Sequence, residues 1–153
     1  MSGSSIQRPN EDAHQEIYDT GMEFRRKVMG DEYVDNQLKN GVSDLMKPMQ
    51  QMHFPKAIHR DCLEVAWGTI WARPGLELKQ RSLIVVALTA SQGKTEELAG
   101  HVRGAIMNGA TEVEVREVLL QTAVYCGIPT GMTSFRVAEA AIAKMKAQGE
   151  WNA

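Results

Sequence analysis

The chain has 153 residues and a formal net charge of −2, with 43% hydrophobic and 24% charged residues. This length and composition fit one globular domain with a single core. A weakly acidic chain lacks the basic surface that nucleic acids or anionic membranes attract, so we expect neither as a partner. No apolar run approaches the roughly 20 residues of a membrane span, and the first residues carry no secretory signal. We therefore expect a cytoplasmic protein.

Residues 1–11 are predicted to form a flexible N-terminal arm, and residues 12–150 one nearly all-helical domain. Before residue 72, the apolar spacing predicts helices at about 12–29, 33–41, 42–54 and 55–71. A turn follows at Arg73-Pro74-Gly75, because Pro74 disfavours a helical Arg73 and Gly75 permits a positive φ.

The segment from Leu76 to Ala90 is the one ambiguous element. Ile84, Val85 and Val86 are β-branched, so a buried strand is conceivable. A helix is favoured because the segment is long and no other segment resembles a partner strand. A helix that is apolar on nearly all sides would be deeply buried or lie at an oligomer interface.

The segment from Thr95 to Pro129 predicts two consecutive helices. Thr95 suits the N-cap of the first, and Asn108-Gly109 its end. Thr111 and Glu114 form a T-x-x-E capping box that opens the second, which stops near Gly127. A last helix is predicted from residue 129 or 130 to 148.

The first of these two helices carries a polar pair. Glu97 and His101 are four residues apart and share one face, where a carboxylate and an imidazole can move a proton. Arg103 lies about 200° round the helix from His101 and points elsewhere, in a structural or subunit-bridging role. An isolated pair of this kind is more simply explained as a surface contact.

Five further side chains are candidates for binding a substrate. Arg73 and Arg81 could hold carboxylates through their planar forks, although a structural salt bridge would account for Arg81 equally well. Trp67 and Trp71 are four apart and stack along one helix face, either in the core or as the wall of a dry pocket. Tyr125 could offer its hydroxyl, or could be a buried tyrosine with its hydrogen bond satisfied.

We expect no metal site and no disulfide. Cys62 and Cys126 are far apart and follow no metal-ligand spacing. His59-x-x-Cys62 is a single short pair, and even with His53 it falls short of the usual zinc ligand set. Free cysteines fit a reducing compartment.

Several segments together carry a family resemblance. They are FRRKVMGDEYVD (24–35), AWGTIWARPGLELKQRSLIVVALTA (66–90), EELAGHVRGAIMNGATEVEVREVLLQTAVYCGIP (96–129) and FRVAEAA (135–141). These segments, in their order and spacing, resemble the carboxymuconolactone decarboxylase family. The resemblance implies an all-α, alkylhydroperoxidase-like fold that assembles into a ring-like homo-oligomer, commonly a hexamer, with a trimer as the smaller form. It also implies cofactor-free decarboxylation of 4-carboxymuconolactone in aromatic compound catabolism.

The sequence departs from the wider superfamily at two places. The redox branch uses a C-x-x-C-x-x-x-H motif, and aligning its histidine on His101 puts Lys94 and Glu97 at the cysteine positions. A dithiol mechanism needs two thiols within bonding reach, so peroxidase activity is not expected. The stretch between Asp35 and Trp67 looks longer than the family pattern, and residues 43–65 within it do not follow the family's usual sequence. If that region lines the pocket, the substrate could differ from the family's lactone.

The leading hypothesis is therefore a decarboxylase of 4-carboxymuconolactone or a related unsaturated lactone or acid. His101 would donate a proton or stabilise the dienolate, Glu97 would orient it, and Arg73 and Arg81 would hold substrate carboxylates. The alternatives are a cofactor-free isomerase or dehydratase on the same scaffold, and a non-catalytic oligomeric binding protein.

Overall fold

The computed structural model describes residues 10–40 and 62–151. In these ranges the chain forms helices and no strand, which confirms the all-α prediction. The helices are α1 (Glu11–Met29), α2 (Asp31–Asn40), α3 (Cys62–Trp71), α4 (Leu78–Ser91), α5 (Thr95–Met107), α6 (Glu112–Cys126) and α7 (Ile128–Ala147). The predicted arm up to residue 9, the predicted 42–54 helix and the start of the 55–71 helix lie outside the described residues. None of the described helices combines the length and apolarity that crossing a membrane requires.

Two compact units make up the described chain. Of the described residues, the first unit contains α1 up to Lys27, α2 from Val34, and residues 62–73. In this unit, Arg26 donates to Asp35 at 2.7 Å and thereby ties α1 to α2. The helix α3 is wound with the wider π-type hydrogen bonding, which is uncommon over ten residues.

The second unit contains residues 28–33 and 74–151, and its centre is a bundle of four helices. α4 packs against α5 and α6, and α7 packs against the same two helices from the other side. The core inside this bundle consists of small and medium-sized apolar side chains: Val86, Ala90, Leu98, Val102, Ala105, Ala110, Val115, Leu119 and Ala138.

The segment that could have been a strand is helix α4, so the choice of helix was right. Ser82, Val86 and Ala90 recur every four residues on its buried face, the period that a helix gives to a core. Its apolar character extends beyond that face, because Ile84 and Leu88 are 47% and 51% exposed.

The ends of the helices confirm most of the predicted signals. Thr111 Oγ1 accepts from the Glu114 N–H at 3.1 Å, and Glu114 accepts from the Thr111 N–H at 2.8 Å, which completes the capping box. The prediction of Thr95 as an N-cap was wrong. Lys94 is the N-cap and Thr95 is already the first helical residue. The Lys94 N–H donates to the Thr89 carbonyl at 3.0 Å, which ends the preceding turn at Lys94.

The predicted turn after α3 also forms, with Arg73 outside the helix as Pro74 predicted, but the positive φ expected of Gly75 is not observed. The Arg73 N–H donates to the Ile70 carbonyl at 3.2 Å. Gly75 does not adopt a positive φ, whereas Gly93 and Gly109 do so where α4 and α5 end. The freedom of glycine is therefore used at the helix ends of the second unit and not in this turn.

α6 and α7 approach each other very closely at their junction. Gly127, with φ +97°, is the single residue between them. One turn into α7, Gly131 lies so near α6 that a β-carbon there would overlap the β-carbon of Ala123 and come within 3.3 Å of its Cα. Only glycine fits at this position without a shift of one helix.

Candidate active site

The polar pair Glu97 and His101 lies on helix α5, at the edge of the surface that the helix exposes to solvent. Leu98, Val102 and Ala105 recur at four and three residues and fix the adjoining face of α5, roughly 90° round the helix, in the core. The carboxylate of Glu97 is left exposed in the first turn, and the imidazole of His101 is half-buried one turn later. The predicted pair therefore lies together on one face, between water and the protein interior.

The environment of His101 shifts its proton affinity. Burial disfavours the charged imidazolium and lowers its pKa, while the nearby negative charge of Glu97 offsets part of this effect. No hydrogen bond joins the two side chains in the described parts of the chain, so Glu97 acts on His101 through its charge. At neutral pH, the imidazole of the free protein is mostly uncharged.

The two candidate arginines belong to different compact units. Arg81, on α4 of the second unit, is half-buried, and its Nε atom is inaccessible to water. Arg73, in the first unit, lies exposed in the turn after α3.

The two tryptophans pair as the sequence predicted. The rings of Trp67 and Trp71 stack with their centroids 4.8 Å apart and an interplanar angle of 21°. Each is 8% exposed, so the pair is a buried part of the first unit. Whether it also faces a substrate remains a prediction.

An apolar groove of about 420 Å³ lies between α4 and α6. Its lining is Leu83, Ile84, Ala87, Leu88, Ser91, Val118, Gln121, Thr122, Tyr125 and Cys126. Tyr125 is 79% exposed at this groove, so the alternative of a buried, satisfied tyrosine was wrong. Glu97, His101 and Arg81 do not line it. A single chain thus keeps its candidate proton donor apart from this groove.

Arg103 points away from His101, as predicted, but its partners lie within its own chain. Its Nε and Nη2 atoms donate to the two carboxylate oxygens of Glu150, each at 3.0 Å. Its Nη1 donates to the backbone carbonyl of Met29. No local pattern predicts Glu150 as the partner, because the two residues are 47 positions apart in the chain.

The described residues contain no cluster of three or more metal-ligating side chains. His53 and His59, the histidines weighed above as zinc ligands, lie outside the described ranges. Cys126 is a free, exposed cysteine.

Comparisons with known proteins agree with this architecture. The model of the carboxymuconolactone decarboxylase family matches residues 56–140. The chain is 41% identical to the nitrosuccinic acid decarboxylase of Metarhizium robertsii, over 93% of this chain and 92% of that protein. It is 34% identical to the 4-carboxymuconolactone decarboxylase of Acinetobacter baylyi, over 80% of this chain and 84% of the relative.

An all-α chain with these relatives is a carboxy-lyase. It belongs to the carboxymuconolactone decarboxylase family, as its resemblance to that family predicted.

Proposed function

We propose that the protein decarboxylates, without a cofactor, a small dicarboxylic acid that contains its own electron acceptor. The observation that carries this proposal is the half-buried imidazole of His101 beside the carboxylate of Glu97. A titratable imidazole with a perturbed pKa at the edge of the interior suits the delivery of a proton to carbon.

The two acids in the names of the relatives share a chemical feature that such a substrate needs. In nitrosuccinic acid, one carboxylate sits on the carbon that bears the nitro group. In 4-carboxymuconolactone, it sits on a carbon conjugated to the lactone carbonyl. In both, the C–C bond breaks, CO2 leaves, and the electron pair moves onto an oxygen of the acceptor. A carbon of the resulting anion then takes a proton: the carbon that lost CO2 in the nitronate, and the carbon next to the carbonyl in the dienolate of the lactone. In both, a second carboxylate stays in the product.

His101 would supply that proton. The free protein holds the imidazole mostly neutral, because burial lowers its pKa. A bound dianion raises the pKa again, since nearby negative charge favours the imidazolium. Binding of the substrate therefore favours protonation of His101. The imidazolium then gives its proton to carbon after CO2 has left. Glu97 adds to the same effect and limits how far burial lowers the pKa.

Arg81 would bind the carboxylate that stays. We expect Arg81→Ala to raise KM about tenfold or more with a smaller change in kcat, because a charge-assisted hydrogen bond to the bound substrate is lost. Steady-state kinetics would measure this, with Arg116→Ala as the control, since Arg116 is an exposed arginine that pairs with Glu117 on α6. An unchanged KM together with a lower melting temperature would make Arg81 structural.

Nitrosuccinic acid is our first candidate substrate, because the similarity to its decarboxylase spans nearly the whole chain. 4-Carboxymuconolactone is the second. The test is CO2 release from each acid by the purified protein, with the chromophore of each substrate followed in parallel. Release from either acid supports the proposal. A folded protein that releases CO2 from neither would contradict it and turn attention to an isomerase or dehydratase.

We also propose that the protein is a homo-oligomer, a hexamer or a trimer. Its support is an apolar surface beside the α4–α6 groove, with Leu120, Val124 and Ile128 exposed by 46%, 77% and 67%. Exposed patches of this kind mark contacts with other proteins, and a second copy carries the same patch. Light scattering should give a multiple of the 17.0 kDa chain mass. Val124→Asp should lower that mass, and a wild-type monomer would contradict the proposal.

A further inference from the structure

Arg103 fastens three separate stretches of chain to one another. It lies on α5, its fork grips the carboxylate of Glu150, and its third nitrogen donates to the carbonyl of Met29. The side chains of Arg103 and Glu150 are only 14% and 27% exposed. The pair is therefore partly desolvated and bidentate, which makes it stronger than an ordinary surface ion pair.

Both partners of Arg103 are presented by helix ends. Met29 is the last residue of α1, where carbonyls lack helical partners and a cation is favourable. After α7, Gly149 adopts φ +71° and the Glu150 N–H turns back to the Met145 carbonyl at 3.0 Å. This turn directs the Glu150 side chain to α5. The hydrogen bonds from Arg103 also lower the pKa of Glu150, so its carboxylate is charged at neutral pH.

Residues 28–33 lie directly on the backbone of α5. A β-carbon at Gly104 would come within 3.1 Å of the Met29 sulfur, and one at Gly100 within 2.7 Å of the Tyr33 hydroxyl. The guanidinium of Arg103 lies 5.4 Å from the centre of the Tyr33 ring. Gly100 directly precedes His101, so the contacts reach the turn of α5 that bears the polar pair.

We propose that Arg103 and Glu150 are positioning residues for His101 and Glu97, an inference that rests on the proposed function. They touch no reacting atom. They hold α5 between the end of α1 and the segment after α7, and so fix where the imidazole points. A displacement of about 1 Å of a catalytic group can cost about a hundredfold in rate, so even partial loosening of α5 should be measurable.

The test is Glu150→Gln, assayed well below its melting temperature on whichever acid the wild type decarboxylates. We expect kcat to fall about tenfold while KM changes less than about threefold, because the bound state is reached but the proton donor is misplaced. Arg103→Lys keeps the charge but loses the fork, and should give a similar fall in kcat. The matched control is Glu112→Gln, which breaks the ion pair with Lys146 between α6 and α7 and should leave kcat within about twofold, as exposed pairs contribute little.

Hydrogen exchange of the α5 amides gives a readout that does not depend on activity. The proposal expects faster exchange around His101 in Glu150→Gln than in the wild type or Glu112→Gln. Wild-type kcat in an active Glu150→Gln protein would overturn the inference. If the wild type decarboxylates neither acid, the proposed function fails instead, and exchange alone decides: unchanged protection of α5 would then overturn the positioning role.

Discussion

Replacing His101 with glutamine is expected to lower kcat by about 10² to 10⁴, the range that general acid catalysis contributes. KM should change much less, since binding of the carboxylate that stays in the product is assigned to Arg81. Glutamine has a similar size and can still donate a hydrogen bond, so the loss reports the missing proton transfer. Steady-state CO2 release measures the effect. His14→Gln, on α1, is the control and should keep wild-type kcat.

The pH dependence provides a second measurement on the same residue. The pH dependence of kcat/KM reports the pKa values of the free protein. In the free protein, burial lowers the pKa of His101 below its usual 6.5. If the charged imidazole is the proton donor, kcat/KM should fall tenfold per pH unit above that lowered pKa. The profile of kcat should stay flat to higher pH, because bound substrate raises the pKa. A kcat/KM that increased from pH 5 to pH 8 would contradict this role.

The largest expected effect on stability comes from Gly131→Ala. In an ordinary helix, this change stabilises by about 1 kcal/mol, because alanine is the better helix former. Here the new methyl group would overlap Ala123 on α6, and overpacking of this kind costs about 1–3 kcal/mol or more. We expect the cost to exceed the gain and to lower the melting temperature by about 2–8 °C. Thermal unfolding followed by circular dichroism measures it.

Gly75→Ala is the matched control for this substitution. Nothing lies within 4 Å of a β-carbon at Gly75, and its φ is not positive. The same chemical change there should be neutral or stabilise by up to about 1 kcal/mol, by restricting the unfolded chain. If Gly131→Ala were as harmless as Gly75→Ala, α6 and α7 could separate without cost, and their close approach would not matter to stability.

Local patterns predicted the fold well. The Thr111–Glu114 capping box, the end of α5 at Asn108-Gly109 and the end of the first helix at residue 29 are set by neighbours within four residues, which a sequence displays directly. The N-cap of α5 was misplaced by one residue because a tight turn at Gly93 decides where helical geometry begins. That turn is the glycine C-cap of α4, closed by hydrogen bonds from Lys94 N–H to the Thr89 carbonyl and from Gly93 N–H to the Ala90 carbonyl, so the end of α4 also sets where α5 begins.

The candidate site was predictable only where it is local. Glu97 with His101 and Trp67 with Trp71 are each four residues apart on one helix, and each pair lies as expected. The exposure of Tyr125 depends on which face of α6 meets the rest of the bundle, and the partner of Arg103 on a turn 47 residues later. Such relationships arise from tertiary packing and leave no mark in local spacing.

The junction at Gly127 has a consequence for how this scaffold can vary. A single residue joins α6 to α7, and Gly131 seats one helix against the other a turn later, so the hairpin has no slack to absorb an insertion. At Gly93 and Gly109, in the other two connections, a β-carbon would meet nothing within 4 Å. Length differences among related chains should therefore accumulate at those two connections, and a foreign domain spliced into the bundle should be tolerated there and rejected at Gly127.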